Sequence, residues 1–145
     1  MGIRLIKYQA DILPLIKQTM PGEVYSTCEQ VLNRYSYLRT LYGYYLSSGE
    51  LVGCSGYVEN EGKLWISWTA VLPEHQGLGI GKRLLQKCFA CLPNKDIYVE
   101  TYEHPAFFNA IAFYLKSGFR LCGYLDDYLL DGSKVLYFKR PAKKR

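Results

Sequence analysis

Histidine is scarce in this chain, with only His75 and His104, and no second Cys-x-x-Cys accompanies the single one at Cys88 and Cys91. Four-ligand zinc spacing is therefore missing and no metal is expected. The pair sits inside an apolar helical run, where core-facing thiols are the expectation. Five cysteines, an odd number with no signal-peptide pattern, argue against a disulfide framework and for a reducing, cytoplasmic setting. No apolar stretch approaches the ~20 residues of a membrane span. A strongly basic body is lacking too. The formal charge is +5, but Lys139, Arg140, Lys143, Lys144 and Arg145 all lie in the last seven residues. Without these five, the other 13 basic residues balance 13 acidic ones, so nucleic acid is not an expected partner. The basic tail reads as a frayed, solvated end.

What is present fits one globular domain. The 145 residues are 49% hydrophobic and include 14 tyrosines. Residues 3–8 alternate like a strand. Asp11 can cap a helix running to about Met20, with Pro14 tolerated in its first turn, and Pro21-Gly22 breaks it. Ser26 and Glu29 read as a capping box that opens a second helix through about Leu38. Strand-like runs follow at 41–46, 51–58 and 64–71, joined by SSGE and ENEG hairpin connections. From Ile80 the apolar residues Leu84, Leu85, Cys88, Cys91 and Leu92 form a helical stripe. Residues 96–102 form a strand. Phe108, Ile111, Ala112 and Leu115 make another helical stripe, begun near Pro105 and stopped by Gly118. Two strands at 119–124 and 134–139 close the chain around the Asp131-Gly132 turn. The order is β-α-α-β-β-β-α-β-α-β-β, an α/β (α+β) chain without internal repeats.

Between the fourth strand and its helix lies AVLPEHQGLGIGKRLLQKC, residues 70–88. A P-loop requires glycine where Gln76 stands and Ser or Thr where Arg83 stands. A dinucleotide fingerprint starting at Gly77 or Gly79 requires a third glycine at Lys82 or Leu84, and a parallel β-α-β unit before it. Both fail. The remaining pattern is Pro73, then Gln76-x-x-Gly79-x-Gly81, then a helix. Glycines let backbone N–H groups approach an anion closely, and a helix start adds unpaired donors and the positive end of its dipole. Lys82 and Arg83 bring mobile charge. Tight packing alone is the competing explanation for such a loop.

This stretch, VLPEHQGLGIGKRLL, resembles the signature of the GNAT superfamily of N-acetyltransferases, Q/R-x-x-G-x-G/A after a strand ending V-x-P. A second block, NAIAFYLKSGFR at 109–120, is similar to the family's N-x-x-A-x-x-x-Y-x-x-x-G-F. One departure is that Phe113-Tyr114 sits one residue later relative to Ala110 than in some relatives, so Ala112 need not be the family's alanine. The last segment, residues 126–140, also resembles small single-domain bacterial members. The resemblance covers essentially the whole chain. It implies a mixed, mostly antiparallel sheet of about seven strands flanked by four helices, with residues 1–140 as one acetyltransferase domain and 141–145 as the tail. It implies acetyl-coenzyme A as cosubstrate, with Gln76, Gly77, Leu78, Gly79, Ile80, Gly81 and Lys82 around its pyrophosphate. Val71 would pair its backbone with pantetheine, Asn109 would hydrogen-bond the cofactor arm, and Phe113 would pack beside it.

Acetyl transfer to an amine requires a neutral amine, donors for the developing oxyanion and a proton for the departing thiolate. A strand that splays from its neighbour leaves backbone N–H groups free, so Val71 can serve the oxyanion. Tyr114 is the candidate acid and Glu100 the best carboxylate for a base, with a water relay as the alternative. His75 and His104 read as loop residues. Tyr42, Tyr44, Tyr57, Trp65, Trp68 and Tyr128 are available to line an acceptor site, and aromatic walls favour a small amine or a peptide terminus. A homodimer is open. Two other classes are a coenzyme A-binding module without transfer and a toxin-like acetyltransferase acting on aminoacyl-tRNA, which the neutral body disfavours.

Overall fold

A computed structural model of the chain describes residues 2–20, 22, 25–26, 40–129 and 131–144. Seven strands form one sheet: β1 (Gly2–Leu5), β2 (Thr40–Tyr45), β3 (Leu51–Asn60), β4 (Lys63–Val71), β5 (Ile97–Tyr102), β6 (Arg120–Leu125) and β7 (Val135–Arg140). Their spatial order is β1-β2-β3-β4-β5-β7-β6. Every neighbouring pair is antiparallel except β4 and β5. Three helices are described, α1 (Leu13–Thr19), α2 (Ile80–Cys91) and α3 (Phe108–Lys116).

Local chemistry sets these elements. The β3–β4 hairpin turns on Glu61 and Gly62, with φ of 52° and 77°, the double left-handed turn that matches strand twist. Helix α1 follows a 3-10 turn at Gln9–Ile12 that contains Asp11. Asp11 therefore does not cap α1, whose N-cap is Ile12, while Pro14 does occupy the first turn. Ser26 corrects a second expectation. Gly22, Tyr25 and Ser26 are already helical, and the Ser26 hydroxyl donates to the Gly22 carbonyl four residues back. A residue bonded backward inside a helix is not its N-cap. The rest of that expected helix, residues 27–38, lies outside the described residues.

The core lies between the sheet and its helices. Helix α2 buries Ile80, Leu84, Leu85 and Cys88 against β2, β3 and β4, and Phe119 is fully buried, its ring 6.2 Å from Phe89 and 5.6 Å from Tyr114. Cys91 is exposed, one turn beyond the buried stripe, and shares a 3.2 Å hydrogen bond with the Tyr42 hydroxyl, so it is not a core thiol. The α3 stripe also differs from expectation. Phe107, Ala110, Ile111 and Tyr114 face inward, whereas Phe108 and Leu115 are about half exposed at 54% and 42%. The 3-10 turn at Pro105–Phe107 starts the buried face one residue earlier than the apolar periodicity suggests. Gly118, at φ 94°, ends α3 in a left-handed cap, with the Phe119 N–H donating to the Tyr114 carbonyl at 3.1 Å. That cap is what folds Phe119 back against Tyr114.

The tail is less free than its composition suggests. Ala142 N–H donates to Asp96 at 2.8 Å, and Lys143 exchanges two backbone hydrogen bonds with the Asn94 amide at 2.8 and 3.0 Å. Residues 142 and 143 are thus held on the turn after α2 rather than frayed. Among the described residues no helix is long and apolar enough to cross a membrane.

Candidate active site

The parallel partners β4 and β5 pair only at Leu64–Ile97 and Trp65–Tyr98, then diverge. Beyond Trp65, the β4 ladder continues with β3. The Leu72 N–H donates to Val52 across that ladder. Antiparallel bonding alternates, so the Val71 N–H and C=O point the other way, into the split. The Val71 carbonyl accepts from the Gln76 side chain at 2.9 Å.

A cavity of about 530 Å³ opens along this split. Its floor is Thr69, Ala70 and Val71, one wall is Gln76, Gly77, Gly79, Ile80, Gly81 and Lys82, and the other is Asn109, Ala110, Phe113 and Tyr114. Gly77 and Gly79 take φ of 79° and 83°, a conformation costly for residues with a side chain. Gly79 is the N-cap of α2, so the N–H groups of the first helical turn have no intrahelical partner and face the cavity wall. Gly81 lies inside the helix with an ordinary φ. A Cβ there would meet the Phe113 ring at 3.5 Å. A phosphate-bearing ligand fits this wall, because donors, dipole and the Lys82 ammonium all present positive charge.

A second cavity, about 440 Å³, shares Met20, Thr69, Phe107, Ala110 and Tyr114 with the first. Glu100 lines this cavity and not the first. Register places Glu100 opposite Tyr137 and Trp65 beside Tyr98, all on one sheet face, while Ile97, Val99, Thr101 and Phe138 are buried on the other. Trp65 packs against Tyr98 and Tyr137 at 5.3 and 6.1 Å, and Tyr102 stacks on Tyr128 at 6.0 Å. Burial, with the Glu100 charge nearby, pushes the Tyr128 and Tyr137 phenols upward. Among the described residues this lining carries one carboxylate and no basic side chain.

Tyr114 joins the two spaces. It is 5% exposed, and burial pushes its phenol up to about 12, with the neighbouring Thr69 hydroxyl acting in the opposite direction. The ring is wedged between Phe113 and Phe119 at 5.5 and 5.6 Å.

Of the residues singled out in the sequence, Val71, Gln76, Gly77, Gly79, Ile80, Gly81, Lys82, Asn109, Phe113 and Tyr114 line the first cavity, and Glu100 the second. Leu78 does not line it. Its side chain is 67% exposed to solvent. Among the aromatic candidates, Trp65, Trp68 and Tyr128 line the second cavity, whereas Tyr42, Tyr44 and Tyr57 do not. The Tyr42 and Tyr44 rings are buried in β2. Sequence reasoning missed Thr69, Met20, Phe107, Tyr102 and Tyr137. Tyr137 meets Glu100 only through the long-range β5–β7 pairing, and nothing local marks Thr69.

A family model described as acetyltransferase (GNAT) domain matches residues 39–121, more than half of the chain. The chain belongs to the GNAT acetyltransferase family. Its fold is shared with solved structures of low sequence identity. A Bacillus subtilis acetyltransferase in complex with CoA superposes with TM-score 0.77 at 18% identity, covering 98% of this chain and 99% of that one. A proposed GNAT-family acetyltransferase from Desulfovibrio desulfuricans gives TM-score 0.76 at 15% identity, over 97% and 99%. The NatC complex bound to Gag peptide and CoA gives 0.72 at 20%, over 99% and 100%. No curated protein matches the chain. The seven-stranded, mostly antiparallel sheet is that of the GNAT fold.

Proposed function

We propose that residues 1–140 act as one acetyltransferase domain that works in the cytoplasm and transfers an acetyl group from acetyl-coenzyme A to a primary amine. One observation carries the reading: two cavities of different chemistry, one lined by glycine-loop donors and one by aromatic rings and a carboxylate, meet at Tyr114 where β4 and β5 part. Among solved relatives by fold, the Bacillus subtilis acetyltransferase holds CoA.

In this reading the backbone of Gln76 to Lys82 binds the pyrophosphate, with Leu78 contributing main chain only. The Val71 backbone faces the pantetheine arm: its C=O, which also accepts from Gln76, can take a further donor there, and its N–H serves the acetyl oxygen as charge develops. Asn109 hydrogen-bonds the arm and Phe113 packs beside it. Acetyl-coenzyme A supplies the activated acetyl group. Tyr114 keeps its proton through neutral pH because its phenol is raised to about 12, and gives it to the sulfur as the carbon–sulfur bond breaks. Glu100 faces the acceptor, where it draws in an ammonium group and takes the proton that makes the amine nucleophilic, directly or through water.

The second cavity also narrows the acceptor. A single carboxylate among stacked rings suits an amine with one positive charge and an apolar or aromatic body, as a small molecule or a peptide terminus, over a polycation or an acid. A thiol-release assay across phenethylamine, tryptamine, short peptides, spermidine and glutamate tests both levels. Turnover only with spermidine or glutamate would overturn the acceptor class. Absence of coenzyme A binding would overturn the transferase itself.

A further inference from the structure

The β3–β4 ladder carries an irregularity beside the site. Cys54 pairs with Ala70 and Gly56 with Ser67, so Ser55 alone faces Trp68 and Thr69 together, a β-bulge. Trp68 reaches this only by taking φ of 57°, which a bulky side chain rarely adopts. The displaced Trp68 carbonyl is satisfied by the Cys54 thiol, which donates to it at 2.9 Å. The strained residue is thus held in place from below, as expected where strain serves a site.

The bulge shifts side-chain alternation by one and turns Thr69 toward Ser55 and Tyr114. The Ser55 and Thr69 hydroxyls lie 2.8 Å apart, and Thr69 and Tyr114 line both cavities together, with the Thr69 hydroxyl acting against the rise that burial gives the Tyr114 phenol. Behind them the Cys88 thiol donates to Ser55 at 3.9 Å, and Ser55 and Cys88 are fully buried. A hydroxyl has one proton to give. With Ser55 accepting from Cys88, the Ser55 proton goes to Thr69 and the Thr69 proton to the Tyr114 oxygen. The Tyr114 proton is then not taken up by Thr69, and Tyr114 itself lines both cavities.

We propose that Thr69, fixed by Ser55 across the Trp68 bulge, is a positioning residue for Tyr114: it aims the Tyr114 O–H at the reacting sulfur and holds the phenolate once the proton has left. This rests on the reading of Tyr114 as the acid. In the step, the amine nitrogen bonds to the acetyl carbon, the carbon–sulfur bond breaks, and the sulfur takes the Tyr114 proton. The proton lost by the amine then returns through solvent to the phenolate, which Thr69 stabilises in the interval. No oxidant or further reactant enters.

The test is a double-mutant cycle on the full chain with acetyl-coenzyme A and an acceptor found in the amine panel. Thr69→Val keeps the shape and removes the hydroxyl. It is expected to lower kcat by roughly 10-fold or more, the effect of one charge-assisted hydrogen bond, with the KM for acetyl-coenzyme A within a few-fold. Thr69→Ser is expected to restore most of that loss, and Ser55→Ala to reproduce part of it. In a Tyr114→Phe background, Thr69→Val should have almost no further effect, because its target oxygen is gone. A Thr69→Val protein as fast as wild type, or a loss that simply multiplies with that of Tyr114→Phe, overturns the positioning role while leaving Tyr114 as acid. A Tyr114→Phe protein as fast as wild type overturns both. Should Thr69→Val fail to fold, judged by its melting curve, Ser55→Ala and Thr69→Ala carry the same cycle.

Discussion

Replacing Gly79 by alanine separates backbone geometry from side-chain bulk, because a Cβ at that position meets nothing within 4 Å. The whole effect must then come from φ of 83° and ψ of 6° at the N-cap of α2. Holding a non-glycine residue there costs roughly 1–2 kcal/mol. If the chain bears that cost, the melting temperature should drop by about 3–8 °C. If it relaxes toward negative φ instead, the first turn of α2 rotates and its N–H groups turn from the cavity, which should weaken coenzyme A binding by about 10-fold or more. Gly81→Ala is the control. It sits inside the helix with ordinary φ and 3.5 Å from Phe113, an ordinary contact, so the alanine should be neutral or up to ~1 kcal/mol stabilising. Gly81→Val should stay folded but fill the space against Phe113 and lose the cofactor. Calorimetric titration with coenzyme A, beside thermal melts of all three variants, reads both effects. A Gly79→Ala protein that melts and binds like wild type would refute the assignment of this loop to phosphate binding.

Tyr114→Phe should lower turnover roughly 10²-fold, at the low end for a positioned acid because a thiolate leaves fairly well unaided, with coenzyme A affinity within a few-fold. Equal losses of both would make it a cofactor contact only. The same residue should shape alkaline stability. Its folded phenol, about 12 against an ordinary 10.0, holds its proton more tightly than the unfolded chain does. Its contribution is therefore full below pH 10 and lost as pH rises toward 12, and Tyr114→Phe should flatten that part of the stability curve. Cys91→Ser, at an exposed position, should change stability by less than about 0.5 kcal/mol, whereas Cys88→Ser should cost about 1–3 kcal/mol; turnover should persist in the double variant. Ending the chain at Arg140 removes the bonds to Asn94 and Asp96, so melting should fall by a few degrees with turnover unchanged; Asn94→Ala should show part of the same fall.

The strands and the glycine loop were legible because their signals are local. Alternation, Gly62 and Gly132 turns, and the Gln76-x-x-Gly79-x-Gly81 spacing each act within a few residues, and the hairpins formed where those signals stand. Helix α3 was legible as a helix but misread in its facing. Phe108 and Leu115 satisfy the apolar period, yet the Pro105–Phe107 turn and the Gly118 cap rotate Phe107 and Tyr114 inward. Thr69 and Ser55 were invisible for a different reason. Their meeting depends on a bulge at a tryptophan, which carries no turn signature, and on a register between two strands. Glu100 was found as a carboxylate, but only the β5–β7 register shows which rings surround it.

The parting of β4 from β5 makes this sheet an unusual object mechanically: it has an edge in its interior. Edges normally invite other chains, and proteins blunt them with charge, proline or bulges. Here the edge is recessed between α2 and α3, so a slender extended ligand reaches it and another protein's strand does not. On the function proposed above, the pantetheine arm completes the ladder, and ligand concentration becomes a stability variable. At one hundred times Kd, binding would add about 2.7 kcal/mol to unfolding. Hydrogen exchange should then slow at Val71 on coenzyme A addition, well before any acceptor is present.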